Sequence, residues 1–161
     1  MKALIFAAGL GTRLKPLTDT MPKALVPING KPLLEHQILK MKKMGFDHLV
    51  INVHHFADQI IDFLSKNNNF GLKIDISDER NLLLETGGGV KKAASFFTDE
   101  KPFLIHNVDI LSNIDLQSFY TENASKSLIS LLVNQRKTSR YLLFNEEKRL
   151  DLFINNCVDY N

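Results

Sequence analysis

Apolar runs of strand length alternate along this chain with segments whose apolar residues recur at the helical period, and few architectures accept that alternation. Lys2–Ala8 reads as a buried strand. A helix follows from Pro32 to Met44: Leu34, Ile38 and Met41 share one face, Pro32 suits the first turn, and Gly45 supplies the stop. His48–Val53 is a second strand, and Ala57, Ile60, Ile61 and Leu64 mark a second helix that ends in the turn-prone run Asn67-Asn68-Asn69. Leu72–Ile76 is a third strand. Val90, Ala93, Ala94 and Phe97 give helical spacing behind a glycine triplet, and Pro102–Ile105 is a fourth strand. Asp115 caps a helix carrying Leu116, Phe119 and Tyr120, and Leu128–Val133 is a fifth strand. Tyr141–Phe144 and Arg149–Ile154 form a hairpin around Asn145-Glu146-Glu147-Lys148. The pattern predicts an α/β fold with a mostly parallel sheet and helices on both faces. No repeat or linker interrupts the 161 residues, so 1–161 reads as one domain.

In such sheets ligands gather beyond the carboxyl ends of the strands. Three segments meet that condition. Gly9-Leu10-Gly11-Thr12-Arg13 follows the first strand, Asn52-Val53-His54-His55 ends the second, and Asn107-Val108-Asp109 follows the fourth. In the first, glycines let backbone N–H groups approach a ligand and converge on an anion, while Arg13, Lys15 and Lys23 bring positive charge near. Charge is distributed accordingly. The first 31 residues hold five basic groups against one acid, Asp19, although the whole chain carries only +2. That small total argues against nucleic acid or an anionic membrane as partner. No stretch approaches the length of a membrane span. The run after Lys2 lacks a signal-peptide cleavage site, and Cys157 is the single cysteine; a cytoplasmic protein is expected.

The glycine loop departs from its better-known look-alikes. A dinucleotide fingerprint needs glycine or alanine at position 14, where Leu14 stands, and a Walker-type loop needs other spacing and a Lys-Ser/Thr pair. Pro16 disfavours the α region at Lys15, so a long irregular loop is expected. A plain surface loop punctuated by glycine is the alternative at this point.

Asp109 should emerge from a buried strand, where a carboxylate can hold Mg²⁺ or simply serve a turn or cap. Asn107 shares its side of the chain if strand geometry persists. Glu85-Thr86-Gly87-Gly88-Gly89, ahead of a helix, offers backbone on which a flat base could lie, or only a flexible helix entry capped by Thr86. His54 and His55, adjacent on a strand, point to opposite faces and make a poor chelating pair, which leaves them structural. Glu79 and Arg80 read as a solvated polar turn. No nucleophile elbow, Cys–His pair or zinc cluster is present, so a route without a covalent protein intermediate is favoured.

Gly9-x-Gly11-Thr12-Arg13-(x)₂-Pro16-x-Thr18, then Pro22-Lys23, then Leu84 to Gly89 and Asn107-x-Asp109, together resemble the sugar-phosphate nucleotidylyltransferases, from Met1 to about Leu150. Within that family the chain is most similar to bacterial mannose-1-phosphate guanylyltransferases and N-acetylmuramate-1-phosphate uridylyltransferases. The resemblance implies a Rossmann-like fold of the nucleotide-diphospho-sugar transferase type and an activity in NDP-sugar biosynthesis. NMP would pass from an NTP, UTP or GTP, to a sugar 1-phosphate, with release of pyrophosphate. It implies that Gly9, Gly11, Thr12 and Arg13 bind the triphosphate, Arg13 on the departing pyrophosphate. Lys23 would bridge the two substrates' phosphates, and Glu85, Thr86, Gly87 and Gly88 would line the base pocket. Asn107 would sit near the sugar or ribose, and Asp109 would bind the cofactor Mg²⁺. Arg13, Lys23 and Asp109 would thus be the catalytic set. Nothing in the pattern specifies an oligomer.

Two departures qualify the likeness. Val108 stands where the family usually has glycine, and Asp151 to Asn161 does not look like the family's continuation. The expectation is a chain lacking the C-terminal portion that supplies much of the sugar pocket and a second acidic metal ligand. A nucleotide-sugar-dependent glycosyltransferase and a non-catalytic nucleotide-binding fragment are the competing readings. Leu14 disfavours a dehydrogenase.

Overall fold

The computed structural model of the chain describes residues 1–135, 137 and 140–155; Cys157 and the rest of the final segment lie outside them. Two compact units emerge, Met1–Leu128 and Ile129–Asn161.

The first unit is built on a four-stranded parallel sheet in the order β5-β4-β1-β6. Its strands are β1 (Lys2–Phe6), β4 (His48–Val53), β5 (Lys73–Asp78) and β6 (Leu104–Asn107). Ala3, Leu4 and Ile5 and all six residues of β4 are buried, because both central strands are covered on two faces. Between β1 and β4 lie three short 3₁₀ turns, a two-residue ribbon of β2 (Pro27–Ile28) and β3 (Lys31–Pro32), and helix α1 (Leu33–Lys43). The turns match the irregular loop expected around Pro16.

α1 buries Leu33, Leu34, Gln37, Ile38 and Met41 on one stripe. It closes as predicted at Gly45: Gly45 N–H donates to Lys42 O and Phe46 N–H to Met41 O, at 3.1 and 3.0 Å. α2 (Ala57–Lys66) buries Ala57, Ile60 and Leu64. α4 (Leu116–Asn123) starts at Asp115, whose carboxylate accepts the N–H groups of Gln117 and Ser118, both at 3.0 Å. These three helices share the larger core, with Ala3, Ile5, Leu49 and Ile51 from the sheet. α3 (Glu85–Ala93) covers the other face, where Leu4, Val50 and Ala93 pack with Phe6, Val90 and Phe97. Helices therefore lie on both faces, as expected, although unequally.

The second unit contains an antiparallel hairpin, β7 (Arg140–Phe144) and β8 (Leu150–Asn155). Asn145 N–H donates to Arg149 O, and Lys148 N–H to Asn145 O, both at 2.9 Å. The hairpin was legible in the sequence; the fifth strand was not there to be found. Leu128 to Val133 is non-strand backbone whose apolar side chains are exposed. An apolar run signals only that side chains could be buried; it does not by itself set the backbone conformation. The sheet's β6 edge has no further strand among the described residues. No helix among them is long and apolar enough to cross a membrane.

Candidate active site

Strand order creates the site. β1 lies between β4, reached through α1, and β6, reached through α3, so connections leave in opposite directions and a crevice opens at the carboxyl ends of β1 and β6. A cavity of about 270 Å³ lies there, lined by Ala7, Ala8, Gly9, Lys23, Glu85, Thr86, Asn107 and Asp109 among others. A second of about 320 Å³ is lined by Gly9 to Leu14, Lys23, Leu83 and Glu85. Gly9, Lys23, Leu83 and Glu85 belong to both walls, so the two adjoin.

The glycine loop owes its shape to Gly11, which sits at φ +66°. A Cβ there would fall 2.8 Å from Thr18 Cγ2 and 3.1 Å from Lys23 Cβ. Thr18 Oγ1 donates to Gly11 O at 2.9 Å, and Leu14 N–H to the same oxygen at 2.8 Å. Bare backbone at residue 11 thus lets the buried Thr18 and the base of Lys23 close against the loop. Lys23 then reaches Asp109, with which it forms an ion pair. Arg13 is exposed on the wall of the second cavity and forms no ion pair among the described residues. Lys15, grouped with it by sequence, is engaged by Asp19 at 3.1 Å instead.

The segment behind β6 is pinned from α1. Gln37 Nε2 donates to Ile110 O at 2.7 Å, and Lys40 Nζ to Ser112 O at 2.7 Å. Burial holds the Lys40 ammonium below the ordinary lysine range. Asp109 therefore lies between β6, which pairs with β1, and a following segment held by α1, with Asn107 beside it on the same cavity wall. Glu85 lies at φ +58°, turning the chain into α3 at the junction of the two cavities.

Nine of the eleven site residues singled out by sequence meet here; two do not. Gly87 and Gly88 line neither cavity. The triplet expected ahead of a helix is instead the opening of α3 itself. Gly89 faces inward, where a Cβ would come within 3.0 Å of both Glu79 Oε1 and Phe6 Cε1. Close packing, which glycine alone permits, outweighs its poor helix propensity there. The expectation of a solvated Glu79 is overturned: it is 1% exposed and lines the cavity with Asn52. Its polar neighbours Asp78 and Arg80 do form a surface pair, at 2.7 Å. Nothing in that polar run marked Glu79 as different. Asn52 had a signal, being a lone amide within the buried run Leu49 to Val53. His54 is structural, its Nδ1 donating to Glu79 O at 2.8 Å, and His55 lies against Phe56.

An α/β domain with a glycine loop, a lysine and a carboxylate at its topological switch point belongs among the nucleotide-binding folds. More specifically, residues 2–145 match the Nucleotidyl transferase family, and the chain belongs to it. It is 40% identical over 125 residues to an N-acetylmuramate alpha-1-phosphate uridylyltransferase of Neisseria meningitidis, covering 78% of this chain and 54% of that one. It is 31% identical over 169 residues to a mannose-1-phosphate guanyltransferase of Emericella nidulans, covering 99% and 46%. The chain thus spans about half the length of these relatives. The crystal structure of HddC from Yersinia pseudotuberculosis complexed with GMP-PN superimposes with a TM-score of 0.75 at 25% identity, covering 96% of this chain and 69% of that one.

Proposed function

We propose that this chain carries the nucleotide-binding part of a sugar-1-phosphate nucleotidylyltransferase and, with Mg²⁺, moves NMP from an NTP to a sugar 1-phosphate. The observation that carries the reading is the Lys23–Asp109 pair at the mouth of a crevice walled by the glycine loop. The names of the relatives support uridine and guanosine as the bases.

Asp109 suits Mg²⁺ by the chemistry of its donors. The carboxylate is partly exposed on the cavity wall, and no cluster of three or more His, Cys, Asp or Glu ligands occurs among the described residues. A single carboxylate is the arrangement for a hard cation that completes its shell with water and substrate phosphate. Bound there, Mg²⁺ would neutralise charge on the phosphate oxygens.

The chain's own groups account for the rest. Backbone N–H groups of the glycine loop and the Arg13 guanidinium hold the β- and γ-phosphates. Lys23, released from Asp109, sits between the two substrates' phosphates and stabilises charge building at the α-phosphorus. A sugar-phosphate oxygen attacks that phosphorus in line; one P–O bond forms, the bond to the β-phosphate breaks, and pyrophosphate leaves with the electron pair. The attacking oxygen is already ionised, so no strong general base is required, and positioning and charge neutralisation carry the rate. NTP substrates and the single cysteine support a cytoplasmic location.

A pyrophosphate-release screen of UTP and GTP against sugar 1-phosphates tests the proposal. Release that depends on one sugar 1-phosphate supports it. Nucleoside diphosphate released from an NDP-sugar points to glycosyl transfer instead, and nucleotide binding without release to a binding fragment.

A further inference from the structure

On the cavity wall, Asn52 and Glu79 form a buried polar unit that the reaction itself does not use. Asn52 is 2% exposed, and both ends of its amide are hydrogen-bonded. Oδ1 accepts the N–H groups of Ala7 and Ala8 at 2.7 and 3.2 Å, and Nδ2 donates to Glu79 Oε1 at 3.0 Å. Glu79 Oε2 accepts the N–H of Leu84 at 3.2 Å. Its backbone is tied down as well, since Glu79 N–H donates to Val53 O at 2.7 Å and Glu79 O accepts from His54 Nδ1.

A buried carboxylate without a cation is costly, and among the described residues no Lys or Arg pairs with Glu79. A position that only had to fill space would carry an apolar side chain. What a carboxylate offers is acceptors on both oxygens and no donor to strand, which suits a point where an amide and a backbone N–H converge. Gly89 faces the pair without a side chain: a Cβ there would come 3.0 Å from Glu79 Oε1 and 3.3 Å from Asn52 Nδ2, so the bare backbone is what admits both groups. The unit joins the root of the glycine loop, Ala7–Ala8, to the segment Leu84–Thr86 on the far wall, and all of these except Leu84 line the cavity.

We propose that Asn52 and Glu79 are positioning residues that set the span between the phosphate loop and the base-receiving segment, and thereby the chain's discrimination among nucleobases. This rests on the nucleotidyl-transfer reading above. Disruption should act on selectivity, because the phosphate contacts common to every NTP come from the glycine loop, Arg13 and Lys23.

The test is calorimetric titration of the chain with the four NTPs and Mg²⁺, beside thermal unfolding, for wild type, Asn52→Asp, Glu79→Gln and the double exchange. Asn52→Asp sets two carboxylates face to face, and Glu79→Gln turns a donor toward either Asn52 Nδ2 or Leu84 N–H. Together they restore every hydrogen bond with its direction reversed only between the two side chains. Each single variant should narrow the affinity ratio between the preferred NTP and the others by about tenfold, as expected for one buried donor or acceptor left unmatched. The double variant should recover the wild-type ratio to within about threefold. Singles that weaken all four NTPs equally, or keep the wild-type ratio, overturn the inference, as does a double variant that refolds without recovering selectivity. If a single variant fails to fold, the double exchange decides alone on the same ratio. Absence of any NTP binding by the wild type overturns the functional reading and this inference with it.

Discussion

Lys23 and Asp109, 86 residues apart in sequence, form an ion pair where the glycine-loop region meets the end of β6. Each neutralises the other in the free chain. Under the proposed function, a nucleotide bearing Mg²⁺ would offer both a better partner, phosphate for the lysine and a divalent cation for the carboxylate. Binding would then be an exchange of partners rather than capture by unpaired charges, which would lessen the desolvation cost of keeping the site open.

Asp109→Ala breaks that exchange. The variant is expected to lose Mg²⁺-dependent transfer and to retain nucleotide binding that no longer responds to Mg²⁺, since Lys23 is left free for phosphate. Titrations with and without EDTA check this; undiminished dependence on Mg²⁺ would count against Asp109 as the ligand.

Arg13 is exposed and forms no ion pair among the described residues, so its truncation should remove a ligand contact without stranding one of them. Arg13→Ala should weaken NTP binding by about 1.5–3 kcal/mol if one charge-assisted hydrogen bond is lost. Mg²⁺·NMP binding should change little, because the proposed contact lies on the departing pyrophosphate. Comparing the triphosphate with the monophosphate in one titration series measures both.

Gly9 and Gly11 differ in what they tolerate. At Gly11 a methyl group meets Thr18 and a left-handed backbone, whereas nothing lies within 4 Å of a Cβ at Gly9. Gly11→Ala should cost roughly 1–2 kcal/mol for the backbone conformation alone, and Gly9→Ala should stay within about 0.5 kcal/mol of wild type. Urea denaturation of the two variants side by side tests the contrast.

His106 makes stability depend on pH. It is buried on β6, its Nδ1 has no hydrogen-bond partner among the described residues, and burial holds its pKa below the ordinary 6.5. The unfolded chain therefore takes up a proton at a pH where the folded chain resists it, so stability is unaffected well above 6.5 and falls as pH drops below it. His106→Gln removes this contribution. Melting temperatures recorded from about pH 7.5 to 5 should fall less steeply for the variant than for the wild type.

Local signals carried much of the fold. β4 runs over the residues that periodicity marked, α1 differs by one residue at each end, and Asp115 caps α4 as its position before Leu116 suggested. That the glycine loop and Asp109 would meet at one crevice was likewise readable, because both follow strands whose carboxyl ends face the same edge of the sheet. What sequence withheld depends on neighbours distant in the chain. Glu79 looks like any acid in a polar turn until Asn52 and Leu84 N–H enclose it. The sequence left the glycine triplet as either a ligand platform or a helix entry, and gave no sign that Gly89 packs against Glu79 and Phe6. Leu128 to Val133 has the composition of a strand but not its backbone conformation.

Titration of the wild-type chain with UTP and GTP, in the presence and absence of Mg²⁺, tests the central claim most directly. The account predicts saturable binding of at least one of the two that is strengthened by Mg²⁺ and weakened by Arg13→Ala. Binding of neither nucleotide, or binding indifferent to both Mg²⁺ and Arg13, would contradict it.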